Sequence, residues 1–157
     1  MRFETRALHD GQQPDESTGA VITPVYQTST YLQDAIGKHR GYEYSRTGNP
    51  TRHSLESVIA SLEGGKFGIA FASGVAATTA VFSLLKQGDH IVSADDIYGG
   101  TYRLLEKVFK KWGVSITYAS VDHEDSFEKA ICRNTRLVWV ETPTNPLLKI
   151  LDIKIVS

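Results

Sequence analysis

The feature that most constrains the fold is a regular alternation of helix-like and strand-like segments after Thr51. Apolar residues at helical spacing alternate with short apolar runs that end at turn residues. These patterns predict helices over residues 54–62, 75–85, 100–112 and 124–131, and strands over 67–72, 90–94, 114–119 and 137–141. Because strands separated by helices join through right-handed crossovers, the sequence predicts an α/β fold with a mostly parallel sheet and flanking helices.

The first 53 residues lack this alternation. They are rich in Gly, Thr, Gln, Tyr and Pro, and residues 24–31 have the character of an extended segment. Such a segment buries little of its own surface, so we interpret residues 1–53 as an extended N-terminal arm that wraps over a second subunit. Residues 54–157 are then the first part of an α/β domain. Asp152 has the character of a helix N-cap close to the last residue, which indicates a truncated domain.

The composition is that of an ordinary globular protein, with 41% hydrophobic and 22% charged residues and a net charge of -1. This balance excludes the strongly basic surface of a nucleic-acid-binding protein. The single cysteine, Cys132, excludes an internal disulfide framework and a zinc cluster built from cysteines. The sequence shows no secretory signal and no apolar run long enough to span a bilayer. We therefore expect a cytoplasmic protein without a metal site and without nucleic-acid or membrane partners.

Residues 44–51, YSRTGNPT, place an aromatic hydroxyl and a guanidinium two residues apart. In an extended segment, residues i and i+2 point the same way, so we expect Tyr44 and Arg46 to converge on one anion. Arginine forms forked, charge-assisted hydrogen bonds with phosphate. Taken alone, the segment also fits an ordinary surface loop.

Three further motifs follow predicted strands, which is where open α/β sheets bind their ligands. Ser73 and Gly74 lie at a strand-to-helix junction, where free N–H groups attract an anion. Tyr98 stands next to two glycines and suits a flat ligand, and Glu141 and Asn145 share a loop with two prolines. Each motif alone would also fit tight packing or a surface turn. Together they suit a planar phosphorylated cofactor or a nucleotide, although the motifs G-x-G-x-x-G and G-x-x-x-x-G-K-[ST] are absent.

The combined motifs resemble the pyridoxal-phosphate (PLP) enzymes of cysteine and methionine metabolism, which include cystathionine γ-synthase, γ-lyase and β-lyase and methionine γ-lyase. The resemblance runs along essentially the whole chain, through residues 24–30, 44–51, 73–77, 98–101 and 141–146. It implies the large domain of the aspartate-aminotransferase-like fold, fold type I, with pyridoxal 5'-phosphate as cofactor and an amino acid as substrate. It also implies a homodimer with shared active sites that assembles into a homotetramer.

The resemblance further implies roles for individual residues. Cofactor contacts are expected from Tyr44, Arg46, Ser73, Gly74, Val75, Tyr98 and Asn145. The first two would reach the cofactor phosphate of the neighbouring subunit. Tyr98 would stack on the pyridine ring and handle protons near the substrate. Asn145 would lie near the ring hydroxyl and the substrate carboxylate, with Glu141 beside the site.

Residues 95–103 resemble the γ-synthase and γ-lyase branch most closely, and Gly100 stands where methionine γ-lyases typically carry a cysteine. We therefore expect a transsulfuration enzyme that eliminates or replaces the γ-substituent of a sulfur amino acid or an activated homoserine. A methionine γ-lyase or an O-acetylhomoserine sulfhydrylase of the same family stays open. So do a non-catalytic α/β module that binds a phosphorylated ligand and a degenerate relative that only supports an oligomer.

A PLP enzyme also needs a lysine for the Schiff base and an acid for the pyridinium nitrogen. In this family both lie in later motifs resembling S-x-T-K and V-D-N-T, and residues 1–157 contain neither. The sequence context of Lys66, Lys86, Lys149 and Lys154 does not match. We therefore expect the 157-residue chain on its own to be inactive.

Overall fold

The computed structural model describes residues 1–123 and 125–156. The chain divides into two compact units, Met1–Ala70 and Phe71–Ser157, and each is described by itself. The division into an arm of residues 1–53 and a domain of residues 54–157 stays a prediction.

The first unit contains two helices, α1 (Phe3–His9) and α2 (Pro50–Leu62), and a small antiparallel pair of strands, β1 (Gln33–Ala35) and β2 (Lys38–His39). Helix α2 begins four residues earlier than residue 54, where the sequence pattern placed its start. The cause is the capping chemistry of an Asn-Pro pair that also favours a turn. The side chain of Asn49 accepts a hydrogen bond from the backbone N–H of Thr51, and proline occupies the first helical position.

The second unit is built on a parallel sheet, as predicted, and three of the four predicted strands form it within the described residues. Its central strand β3 (His90–Ala94) lies between β4 (Ser115–Ala119) and β5 (Thr135–Trp139). All five residues of β3 are buried, as expected for the middle strand of a sheet covered on both faces. The bounds of β3 agree with the prediction, whereas β4 begins one residue later than predicted and β5 begins and ends two residues earlier.

Helices of the second unit pack an aromatic core against this sheet. Phe82, at the end of α3 (Gly74–Phe82), meets the rings of Phe109 and Trp139 edge to face, with centroids 5.5 and 5.0 Å apart. A continuous helical segment follows β3: α4 (Gly99–Leu104), a π-helical turn (Leu105–Phe109) and a 3-10 turn (Lys110–Trp112). These three consecutive parts form helical segment 99–112.

Helical segment 99–112 ends at Gly113, as the sequence predicts. Gly113 has a φ of 84°, in the left-handed region that glycine adopts without strain. A Cβ at this position would also lie 2.6 Å from Cγ of Gln87. Both the conformation and the close approach therefore require glycine here.

Two short helices complete the described part of the second unit. Helix α5 (Ser126–Ala130) lies within the predicted range 124–131, of which Glu124 falls outside the described residues. Helix α6 (Ile153–Val156) follows Asp152, whose carboxylate accepts the N–H of Lys154, as expected of an N-cap. None of the helices in residues 1–123 and 125–156 is long and apolar enough to cross a membrane.

The predicted strand over residues 67–72 is wrong. The segment forms no strand, and within the described residues no backbone group of another residue bonds to its backbone; the N–H of Ala70 donates instead to the carboxylate of Glu56 at 3.0 Å. Phe67 and Ile69 are 78% and 73% exposed. An apolar run becomes a strand only when a neighbour supplies hydrogen bonds to its N–H and C=O groups, and sequence alone does not show that neighbour.

The amino-terminal edge of the sheet is tied together by one imidazole. His90 is 4% exposed, and its Nε2 and Nδ1 atoms lie 2.9 and 2.8 Å from the hydroxyls of Thr117 and Thr135. These partners belong to β4 and β5, so the side chain joins all three strands. Burial lowers the pKa of His90 below its ordinary value of 6.5 because the charged imidazolium loses hydration.

Candidate functional site

A cleft of about 360 Å³ lies at the carboxyl ends of the parallel strands in the second unit. Its lining consists of Ser73, Gly74, Val75, Thr78, Tyr98, Thr101 and Glu141. Five of these seven are residues that the sequence analysis had selected. The two threonines were missed, because a threonine in a helix carries no signal that separates a cleft residue from a packing residue.

Ser73 and Gly74 form the amino-terminal end of α3. Ser73 has extended backbone angles, and its hydroxyl accepts the N–H of Ala76 at 3.1 Å, which makes it the N-cap. The first N–H groups of a helix have no acceptor within the helix and lie at its positive end. A Cβ added at Gly74 would meet nothing within 4 Å, so packing inside this chain does not require the glycine. The backbone of Gly74 and Val75 is therefore open to an anion.

Tyr98 immediately precedes helical segment 99–112, and its ring is placed by a neighbouring glycine. The side chain is 45% exposed. A Cβ added at Gly100 would lie only 2.3 Å from Cε1 of the Tyr98 ring. The ring therefore occupies space that any other residue at position 100 would fill.

Glu141 follows β5 and receives three hydrogen bonds. One carboxylate oxygen accepts the backbone N–H of Tyr98 at 2.8 Å. The other accepts the hydroxyl of Thr101 at 3.1 Å and the indole N–H of Trp139 at 3.3 Å. The carboxylate thus joins the end of β5 to the beginning of helical segment 99–112, 43 residues away in sequence.

Asn145 lies on the loop that follows β5, where it is exposed, and it does not line the cleft. This loop contains two cis peptide bonds, Thr142–Pro143 and Asn145–Pro146. Its anchor is Asp96, which is 8% exposed and accepts the hydroxyl of Thr144 at 2.5 Å and the N–H of Leu147 at 3.2 Å. Asp96 was not among the predicted site residues, because the sequence does not separate it from its neighbour Asp95.

Tyr44 and Arg46 lie in the first unit. The guanidinium of Arg46 sits over the Tyr44 ring, with Cζ 4.6 Å from the centroid. The expected extended geometry is wrong, because residues 45–47 form a turn in which the N–H groups of Thr47 and Gly48 donate to the carbonyl of Tyr44. The two side chains nevertheless meet, and their role as phosphate ligands stays a prediction.

The cleft is suited to a small anionic ligand with a flat face. It offers a helix amino terminus for the anion and a half-exposed aromatic ring. Within the described residues, no group of three or more His, Cys, Asp or Glu side chains is arranged to hold a metal ion.

Comparison with known proteins gives a consistent result. The family described as "Cys/Met metabolism PLP-dependent enzyme" matches residues 4–157. A probable cystathionine gamma-synthase from Herpetosiphon aurantiacus is 51% identical over 99% of this chain and 49% of its own length. A cystathionine gamma-lyase from Bacillus subtilis is 50% identical over 100% of this chain and 41% of its own length. A cystathionine beta-lyase from Lactococcus lactis is 51% identical over 99% of this chain and 41% of its own length.

Solved structures confirm the predicted fold class. The crystal structure of metB from Corynebacterium glutamicum superposes with a TM-score of 0.93 at 49% identity, over 99% of this chain and 41% of that one. The chain therefore spans less than half the length of these matches.

Proposed function

Because the chain belongs to the Cys/Met metabolism family of PLP-dependent enzymes, we propose that it forms the amino-terminal part of a transsulfuration enzyme. Its substrates would be sulfur amino acids or activated homoserine, with elimination or replacement at the γ-carbon. The observation that carries the proposal is sequence identity: along nearly the whole chain, about half of all residues are identical to those of a cystathionine synthase and a cystathionine lyase. The cleft supports it independently, since it combines a helix amino terminus with an aromatic ring.

The residues present fit pyridoxal phosphate, the cofactor on which the family depends. The N–H groups of Gly74 and Val75 would bind the phosphate, where the open space beside Gly74 admits a close approach. The Tyr98 ring would lie against the pyridine and keep water from that face. When bound, the cofactor supplies an electron sink for chemistry at the α-carbon of an amino acid.

Two residues of this chain would act on the substrate. The Tyr98 hydroxyl would hold and move a proton close to the substrate amine. Asn145 would donate to the substrate carboxylate from its loop, which Asp96 holds through the buried hydroxyl of Thr144. Glu141, with both oxygens already bonded inside the chain, would support the site without touching the substrate.

We also propose that the enzyme is a homodimer with shared active sites, assembled into a homotetramer, in the cytoplasm. Large apolar side chains are exposed in the first unit, including Val21, Ile22, Val25, Leu32 and Ile36. Side chains of this kind are usually covered in a working assembly. The Tyr44–Arg46 pair would then meet the cofactor phosphate of the neighbouring subunit. The exposed free thiol of Cys132 is compatible with a reducing compartment.

The experiment that tests the function begins with the gene. Reading past the codon for Ser157 should reveal a lysine in an S-x-T-K context, and the absence of such a segment would defeat the proposal. The complete protein is then assayed with cystathionine, cysteine, O-succinylhomoserine and O-acetylhomoserine. Cleavage of cystathionine at the γ-carbon yields cysteine and 2-oxobutyrate, whereas β-cleavage yields homocysteine and pyruvate. The two keto acids therefore separate the proposed γ-type activity from a β-lyase.

A further inference from the structure

Tyr98 is positioned at two places, since Gly100 leaves the space that its ring occupies and Glu141 accepts its backbone N–H. Tyr98 is the N-cap residue of helical segment 99–112, but no side-chain oxygen of its own caps the helix. The carboxylate of Glu141 instead fixes this end of the helix, because it accepts the backbone N–H of the N-cap residue Tyr98 and the hydroxyl of Thr101 in the first turn. A negative charge at the amino terminus of a helix is favourable for the same reason as a capping side chain.

Glu141 is itself held by the core. Trp139 donates its indole N–H to the carboxylate, and the same indole packs edge to face on the fully buried ring of Phe82. Thr101, the third donor, is only 3% exposed. The carboxylate is therefore fixed on one side by the hydrophobic core and on the other by the backbone of the tyrosine.

We propose that Glu141 is the positioning residue that sets the location of Tyr98 in the cleft. The inference rests on the proposed function in one respect, namely that Tyr98 faces the cofactor and handles a proton. A direct contact between Glu141 and the substrate is disfavoured by its bonding. Its two oxygens already accept three donors from the chain, and a substrate would have to displace them.

The test compares Glu141→Ala and Glu141→Gln in the complete enzyme. Without the carboxylate, the Tyr98 N–H loses its acceptor and the ring shifts. Displacing a proton-transfer group lowers kcat, so we expect a fall of about 10- to 100-fold for Glu141→Ala with KM changed by about twofold or less. Glu141→Gln keeps one acceptor oxygen and should recover a large part of this loss. The visible circular dichroism of the bound cofactor should likewise change more in Glu141→Ala than in Glu141→Gln.

Glu106→Gln is the matched control. Like Glu141, Glu106 is a half-buried carboxylate that accepts a hydrogen bond from a tyrosine, here from the hydroxyl of Tyr118 at 3.0 Å, but it does not line the cleft. This variant should leave kcat and the dichroism unchanged. A kcat and dichroism spectrum that stay at the wild-type values in Glu141→Ala would overturn the inference, even if the thermal midpoint fell, because the residue would then be only structural.

A readout without cofactor separates this inference from the proposed function. The emission of Trp139, obtained in the cofactor-free complete protein as the difference between each variant and the same variant carrying Trp139→Phe, reports on its hydrogen bond to Glu141. This emission should shift in Glu141→Ala and stay unchanged in Glu106→Gln. If the wild-type protein failed to bind pyridoxal phosphate, the proposed function would fail, and this emission shift would still decide whether the carboxylate is tied to the core. An unchanged emission would count against the tie itself.

Discussion

Replacing Asp96 by alanine should release the loop that carries Asn145. The carboxylate of Asp96 is the acceptor for the hydroxyl of Thr144, whose side chain is fully buried, and for the N–H of Leu147. A buried donor without a partner costs about 1–3 kcal/mol, and the more exposed Leu147 N–H adds about 1 kcal/mol. We therefore expect Asp96→Ala to weaken the closed loop by about 2–4 kcal/mol.

Amide hydrogen exchange measures this change locally, without requiring two-state unfolding of an oligomer. The N–H groups of Leu148 and Lys149 are suitable reporters, because they bond to the carbonyl and the hydroxyl of Thr144. Since about 1.4 kcal/mol corresponds to a factor of ten, their exchange should accelerate by about 30- to 1000-fold in Asp96→Ala. Asp96→Asn retains one acceptor oxygen and should accelerate it by about tenfold or less.

The neighbouring carboxylate provides the control. Asp95 is exposed, and within the described residues its carboxylate accepts one hydrogen bond, from the N–H of Val121 at 3.2 Å, so Asp95→Ala should leave exchange at the reporters within about threefold of wild type. A double variant, Asp96→Ala with Thr144→Val, should be less destabilised at the Leu148 reporter than the sum of the single variants, because the Asp96 carboxylate and the Thr144 hydroxyl are then removed together; the Lys149 N–H does not serve here, since Thr144→Val removes its own acceptor. Reporter exchange in Asp96→Ala that matches the Asp95→Ala control would refute the reasoning, as would strict additivity in the double variant.

Three other predictions concern pH, ring placement and the isolated chain. Because burial lowers the pKa of His90, the unfolded state binds its proton more tightly, so stability should fall as pH drops below 6.5, by at most about 1.4 kcal/mol per pH unit. Thermal midpoints at about pH 7.5 and 5.5 should therefore differ less in His90→Asn than in wild type, and an equal difference would contradict this. Gly100→Ala should displace the Tyr98 ring and so change the visible dichroism of the bound cofactor, and an unchanged spectrum would disprove this. The thermal midpoint should not fall, because alanine favours a helix more than glycine does. Residues 1–157 alone should not form a stoichiometric borohydride-fixable adduct with pyridoxal phosphate at a single lysine. Mass spectrometry of the reduced and digested chain would distinguish such an adduct, which would contradict the prediction, from sparse labelling of exposed lysines.

The parallel sheet and most of its helices could be predicted because each has a local signal. Strand β3 contains the β-branched pair Ile91 and Val92 between polar turns. Helical segment 99–112 is followed by Gly113, whose left-handed backbone favours glycine. The start of α2 was missed because Asn49 and Pro50 favour both a turn and a helix start. The strand expected over residues 67–72 was wrong because its existence depends on a partner, which is not a local property.

Part of the site could be predicted because it follows from the order of the strands, which has local signals in the sequence. Parallel topology brings the residues after β3 and β5 to one edge, so the proximity of Tyr98 and Glu141 follows once the strands are placed. The individual hydrogen bonds of Glu141 and Asp96 do not follow from the strand order. Nothing in the sequence distinguishes Asp96, which holds a buried threonine, from the exposed Asp95 next to it, because burial is decided by the loop that folds over one of them.

The comparisons also indicate what this part of the molecule does. The named γ-synthase, γ-lyase and β-lyase share 50–51% of their residues with the chain over nearly all of it. Proteins with three different names are therefore equally similar here, so overall similarity in this region does not separate one activity from another. What they would have in common is the handling of a phosphorylated cofactor, and the cleft provides the elements for it: an open helix amino terminus, an aromatic ring and a carboxylate tied to the core.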